Sequence, residues 1–105
     1  AESYRDAGVK RVGIRQAVGE ILGADGVIVL PSLPTTALKV DADEAEFETF
    51  RGQALQMLCI AGLSGFPQIS LPLAQVDRRP IGLSLLASPG RDRALIALAR
   101  VILEA

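Results

Sequence analysis

Apolar residues at Ile14, Ala17, Val18, Ile21 and Leu22 follow the three-four spacing of one helix face. They predict a first helix over residues 3–22 that stops near Gly23, with Gly8, Gly13 and Gly19 weakening it. The period then changes. Gly26-Val27-Ile28-Val29-Leu30-Pro31 is a short continuous apolar run rich in β-branched residues, which reads as a buried strand parallel to a neighbour. Pro31 and Pro34 end it in a loop to about Asp41. Asp43-Glu44-Ala45-Glu46 opens a second helix: Asp43 caps it, Glu46 stands three residues on, and the acids suit the positive helix end. Its inner stripe is Phe47, Phe50, Ala54, Leu58 and Ala61. Residues 55–63 are apolar on nearly every side except Gln56, and a helix end of that kind is normally surrounded by protein. A chain of 105 residues can hardly surround it, which points to protein beyond the sequence.

Gly62 and Gly65 are expected to stop this helix, and Gln68-Ile69-Ser70-Leu71-Pro72-Leu73-Ala74 reads as a strand. A turn at Asp77-Arg78-Arg79-Pro80 leads into its hairpin partner, Ile81-Gly82-Leu83-Ser84-Leu85-Leu86-Ala87. A last helix starts near Arg91 or Asp92, with Leu95, Leu98, Ala99 and Ile102 on its apolar face. The order α-β-α-β-β-α defines an α/β fold: a short mixed sheet with a C-terminal hairpin, packed by helices. Residues 27–30 are expected to run parallel to 69–73 through a right-handed crossover.

Composition narrows the function. Half the residues are hydrophobic but only 4% aromatic, so the core is built from Leu, Ile, Val and Ala. The formal charge of −1 and the lack of a basic stripe exclude a nucleic-acid surface. No apolar run reaches membrane-span length, and no signal-peptide pattern occurs. One cysteine, Cys59, allows no internal disulfide and suggests a reducing, cytoplasmic setting. The absence of histidine removes Ser-His-Asp and Cys-His catalysis. No metal ligand set and no cofactor motif is present. The start at Ala1 rather than Met points weakly to a fragment.

Three motifs carry a resemblance. Gly65-Phe66-Pro67-Gln68-Ile69-Ser70-Leu71-Pro72 resembles a Gly-Leu-Pro-Ala-Ile-Ser-Val-Pro-like run near the C-terminus of amidase-signature enzymes. Pro80-Ile81-Gly82-Leu83-Ser84-Leu85-Leu86-Ala87 resembles the hairpin strand that follows it, and Val27-Ile28-Val29-Leu30-Pro31-Ser32-Leu33-Pro34 an upstream strand ending in a Thr-Pro segment. All three stand in family order, and residues 1–105 together resemble a C-terminal segment of the family fold. Cys59-Ile60-Ala61-Gly62-Leu63-Ser64-Gly65 and the Ser84 strand look closest to the indole-acetamide hydrolase type and its relatives, some of them inactive receptor domains of chloroplast protein import. Two departures stand out: many members have Asn at Gly62 and Gln at Ser84.

The resemblance implies amide hydrolysis by a Ser–cis-Ser–Lys acyl-enzyme mechanism, with a Gly-Ser-rich loop as oxyanion hole and a small-molecule amide as substrate. This chain has no Ser-Ser pair, and its only lysines are Lys10 and Lys39. No catalytic residue is therefore expected within it. Ser70 reads as a strand hydroxyl bonded to backbone, and Cys59 as a small core residue with no group nearby to lower its pKa. Gly62 or Gly65 reads as a left-handed helix cap, and Gly82 as a point of close approach. Because the resemblance places the turn at 62–67 near an acyl pocket, Cys59, Gly62, Gly65 and Phe66 are the substrate-pocket candidates. The chain alone is expected to lack amidase activity and to self-associate. Two alternatives remain: a segment of an inactive, protein-binding amidase-like domain, and an independent self-associating α/β module.

Overall fold

Asp43 starts the second helix as its sequence requires: the carboxylate accepts a hydrogen bond from the Glu46 backbone N–H at 2.8 Å. The computed structural model describes residues 2–105 and contains six elements. They are α1 (Glu2–Leu22), β1 (Val27–Pro31), α2 (Glu44–Ser64), β2 (Gln68–Val76), β3 (Arg79–Ala87) and α3 (Asp92–Glu104). The α-β-α-β-β-α order is as the pattern predicts. α2 runs through Gly62 and ends at Gly65, which takes φ 73° and donates its N–H to the Ala61 carbonyl at 2.8 Å. No helix among the described residues is long and apolar enough to cross a membrane.

The sheet has the order β1-β3-β2, and both pairs are antiparallel. β1 and β2 do point the same way, since each opposes β3, but they are not neighbours. The sheet is thus antiparallel rather than mixed, and β1 lies at its edge without a parallel partner. β3 takes the centre because it is the strand apolar on both faces: Leu85 and Ala87 bury on one side, Leu86 on the other. An extra residue in β2 between Leu71 and Ala74 forms a bulge that accommodates Pro72.

α3 covers one face of β2 and β3. Leu95 and Ala99 meet Leu71, Leu85 and Ala87, with Leu98 and Ile102 alongside, so the predicted stripe is the buried one. On the opposite face Leu22 and Phe66 pack on Leu86, flanked by Val18, Ile28, Leu30, Ile60 and Ala61. Ser88 Oγ donates to the Gly23 carbonyl at 2.7 Å and ties the two ends of the sheet's connections together. The whole is a slab of 41 × 41 × 17 Å with a radius of gyration of 16.0 Å. A compact chain of this length would have about 13 Å.

Candidate functional site

Three serines meet on the sheet face opposite α3. Ser70 and Ser84 are a cross-strand pair of β2 and β3. Ser32, just after β1, donates its backbone N–H to the Gly82 carbonyl at 2.8 Å, which brings its side chain over the same face. Ser32 Oγ then hydrogen-bonds to Ser70 Oγ and, at 2.7 Å, to Ser84 Oγ. A Cβ at Gly82 would stand 2.6 Å from Ser32 Oγ and 2.9 Å from Ser70 Oγ, so glycine is the residue that lets the hydroxyls meet. Close approach, expected of Gly82, is its role here.

Burial differs along this hydroxyl chain. Ser84 is 1% exposed, and among the described residues its hydroxyl has Ser32 as partner. That pairing avoids the cost of about 1–3 kcal/mol that a buried, unpaired hydroxyl would carry. Ser32 also bonds to Ser70, which is exposed. Ser70 lines a concavity with Leu33, Ala37, Pro72, Pro80 and Ile81. Its expected backbone partner is replaced by this side-chain bond, a pairing that local sequence does not encode. No lysine joins the chain among the described residues, so no base is at hand to turn a hydroxyl into a nucleophile.

The four pocket candidates separate. Cys59 is half-buried and lines an apolar concavity on α2 with Phe47, Phe50, Leu55 and Leu58. Gly62 is exposed, and its carbonyl accepts from Arg11 Nη2 at 3.3 Å. Gly65 is the left-handed cap. Phe66 is 7% exposed and belongs to the core beside Leu22 and Leu86, with the Arg15 guanidinium 5.2 Å from its ring centroid. The structure thus sets Cys59 in a groove, Gly62 on the surface and Phe66 inside.

Two arginines that hold the end of α2 carry no sequence signal of their own. Arg11 Nε donates to the Leu63 carbonyl at 3.0 Å, and Arg15 Nη1 to the Ser64 carbonyl at 2.5 Å. α2 has no basic residue in its last turn, so α1 supplies the positive charge its C-terminal end calls for.

Comparisons with known proteins agree with this architecture. No family model matches the chain. Amidase 1 of Oryza sativa subsp. japonica is 37% identical over 95 residues, covering 90% of this chain and 22% of that protein. The chloroplastic outer envelope protein 64 of Arabidopsis thaliana is 35% identical over 82 residues, 78% of this chain and 14% of that one. Among solved structures, that of a glutamyl-tRNA(Gln) amidotransferase chain from Thermotoga maritima superposes with a TM-score of 0.80 at 26% identity, covering 96% of this chain and 22% of its own. Sequence and fold together define the class: the chain belongs to the amidase-signature family, as a C-terminal segment. It spans about a fifth of the length of the relatives it matches.

Proposed function

We infer that the chain serves as the C-terminal part of an amidase that cleaves a carbon–nitrogen amide bond through a Ser–cis-Ser–Lys acyl-enzyme, with all three groups outside these 105 residues. One observation carries the reading. The chain has an amidase-like fold throughout, yet its own serine cluster has no base within it. Its part would be to complete the body around the reacting groups. Cys59, Gly62 and Gly65, the candidates with surface to offer, would shape the substrate pocket, while the buried Phe66 would hold the turn that positions them. The substrate would be a small-molecule amide.

The test is ammonia release from small amides. The purified 105-residue chain should release none, whereas a polypeptide that adds an upstream Gly-Ser-Ser-Gly loop and its lysine should be active. Activity of the short chain, abolished by Ser70→Ala or Ser32→Ala, would overturn the assignment. The open apolar face of α2 favours a second reading, an amidase-like domain that binds protein instead. A longer polypeptide whose serines resist a fluorophosphonate label would support that one.

A further inference from the structure

The spacing of Ile14, Ala17, Val18, Ile21 and Leu22 offers them as the inner face of α1, yet Ile14 is 38% exposed and Ile21 74%. The helix turns a different stripe to its neighbours. Arg11 and Arg15 reach the end of α2, Gly19 backs on the Phe66 ring, and Val18 and Leu22 enter the cluster around Leu86. Positions 11, 15, 18, 19 and 22 follow three-four spacing, so they form one line along α1. The part nearer its C-terminus serves the core. The rest is two cations, and they serve the end of another helix.

The last carbonyls of a helix have no partner within it. In α2 each of them has one. The Ala61 carbonyl accepts from the Gly65 N–H at 2.8 Å. Arg11 spans the next two, with Nη2 3.3 Å from the Gly62 oxygen and Nε 3.0 Å from that of Leu63. Arg15 Nη1 donates to the Ser64 carbonyl at 2.5 Å. The Arg15 guanidinium also stands 5.2 Å from the Phe66 ring centroid, and Nη1 lies 3.0 Å from where a Cβ on Gly65 would be. One side chain thus meets Ser64, Gly65 and Phe66 in succession, where the chain leaves α2 in the left-handed conformation. A point charge would complement the helix dipole from many positions. These two arginines instead address individual carbonyls, with bonds roughly twice as strong as neutral ones.

We propose that Arg11 and Arg15 are positioning residues, a two-point clamp that fixes the path of residues 62–67 against α1 and with it the placement of Gly62, Gly65 and Phe66. Both arginines are exposed, so the clamp acts on the turn and not on the stability of the sheet. Its consequence for substrate rests on the amidase reading, in which this turn borders the pocket. Displacing the turn then weakens substrate binding and leaves the acyl-enzyme chemistry, which lies outside the chain, unchanged.

Amide hydrogen exchange in the 105-residue chain tests the clamp directly. Arg15→Met keeps an unbranched stem and removes the donors. It should lower protection at Gly65 and Phe66 roughly tenfold, the size of one lost hydrogen bond to a charged group, with Leu85 in the sheet unchanged. Arg15→Lys should recover most of that loss, because one ammonium can serve the Ser64 carbonyl. Arg11→Met should act in the same direction, but Arg11→Lys should recover little, because two carbonyls take two nitrogens of one rigid fork. Unchanged protection in both Met variants would overturn the proposal. So would an equal loss at Leu85, which would mean a general contribution to the fold, or equal rescue by lysine at the two positions, which would mean that charge alone matters. In a longer polypeptide with the upstream Gly-Ser-Ser-Gly loop and its lysine, Arg15→Met should raise KM for a small amide about fivefold and keep kcat. A fall in kcat at constant KM would overturn the link from turn to substrate. Were that polypeptide inactive with Arg15 in place, the amidase reading would fall, and exchange in the short chain would still decide the clamp.

Discussion

On the α3 side of the sheet the buried residues are Leu71, Leu85, Ala87, Leu95 and Ala99; on the other side the buried apolar residues are Leu22, Phe66 and Leu86, joined by the polar Ser64 and Ser84. The strands are the same, so the helices make the difference. α3 lays an amphipathic stripe along β2 and β3 and closes that face. α1 and α2 touch the opposite face only near their C-terminal ends and pack mainly on each other. β1 shows both conditions in one strand. Ile28 and Leu30 point into the Leu86 cluster, whereas Val27 and Val29 lie on the α3 side, 37% and 60% exposed, with Val27 lining a concavity beside Leu95 and Leu98. One side is thus a finished core that the chain closes by itself. The other is a surface built to be covered, and the exposed hydroxyl of Ser70 opens onto it.

The sharpest way to test this contrast is one truncation in each region. Leu85 is 1% exposed and packed under α3, so Leu85→Ala should cost about 2–5 kcal/mol in urea unfolding. Leu55→Ala on open α2 should change monomer stability by less than about 0.5 kcal/mol, measured at low concentration. Equal losses would mean that α2 is as well seated as α3. A middle-sized effect is expected from Gly82→Ala. The new methyl group meets Ser32 and Ser70, and overpacking of this kind costs about 1–3 kcal/mol. Ser32→Gly should relieve the clash, and the double variant should recover part of the loss. No recovery would show that Gly82 serves the backbone and not the hydroxyls.

Much of the local structure was legible in the sequence on both sides of the sheet, and little of how distant elements meet. The α3 stripe, the Asp43 cap and the β2–β3 hairpin depend on residues near one another, where spacing and turn chemistry speak directly. The position of β1 depends on which strand offers the most apolar edge, a competition that periodicity within one strand does not record. Ser32, Ser70 and Ser84 are separated by 38 and 52 positions, so nothing local announces their meeting. A faint signal existed in the polar serines and Gly82 set inside apolar strand runs. Arg11 and Arg15 gave none, because their partners are backbone carbonyls on another helix.

A small gain in stability is expected at the hairpin tip, outside both buried clusters. Val76 pairs with Arg79, leaving a two-residue loop of Asp77 and Arg78 with φ of 50° and 65°. Positive φ at both central positions is what a type I′ turn demands, and it suits the twist of the flanking strands. Asp tolerates the left-handed region through its short polar side chain, but Arg has no such compensation and a Cβ that crowds the carbonyl. Glycine removes that crowding while enlarging the freedom of the unfolded chain, so the two effects oppose. The strain relieved, about 1–2 kcal/mol, exceeds the entropy lost, about 0.4–1 kcal/mol. Arg78→Gly should therefore stabilise the chain by about 0.5 kcal/mol and raise the thermal midpoint by roughly 2–4 °C. The gain should appear as slower hydrogen exchange in β2 and β3 and leave the α2 stripe unchanged. A lowered midpoint would mean that Arg78 makes a stabilising contact worth more than its strain. Protection gained equally along α2 would mean that the two sides of the sheet unfold as one unit.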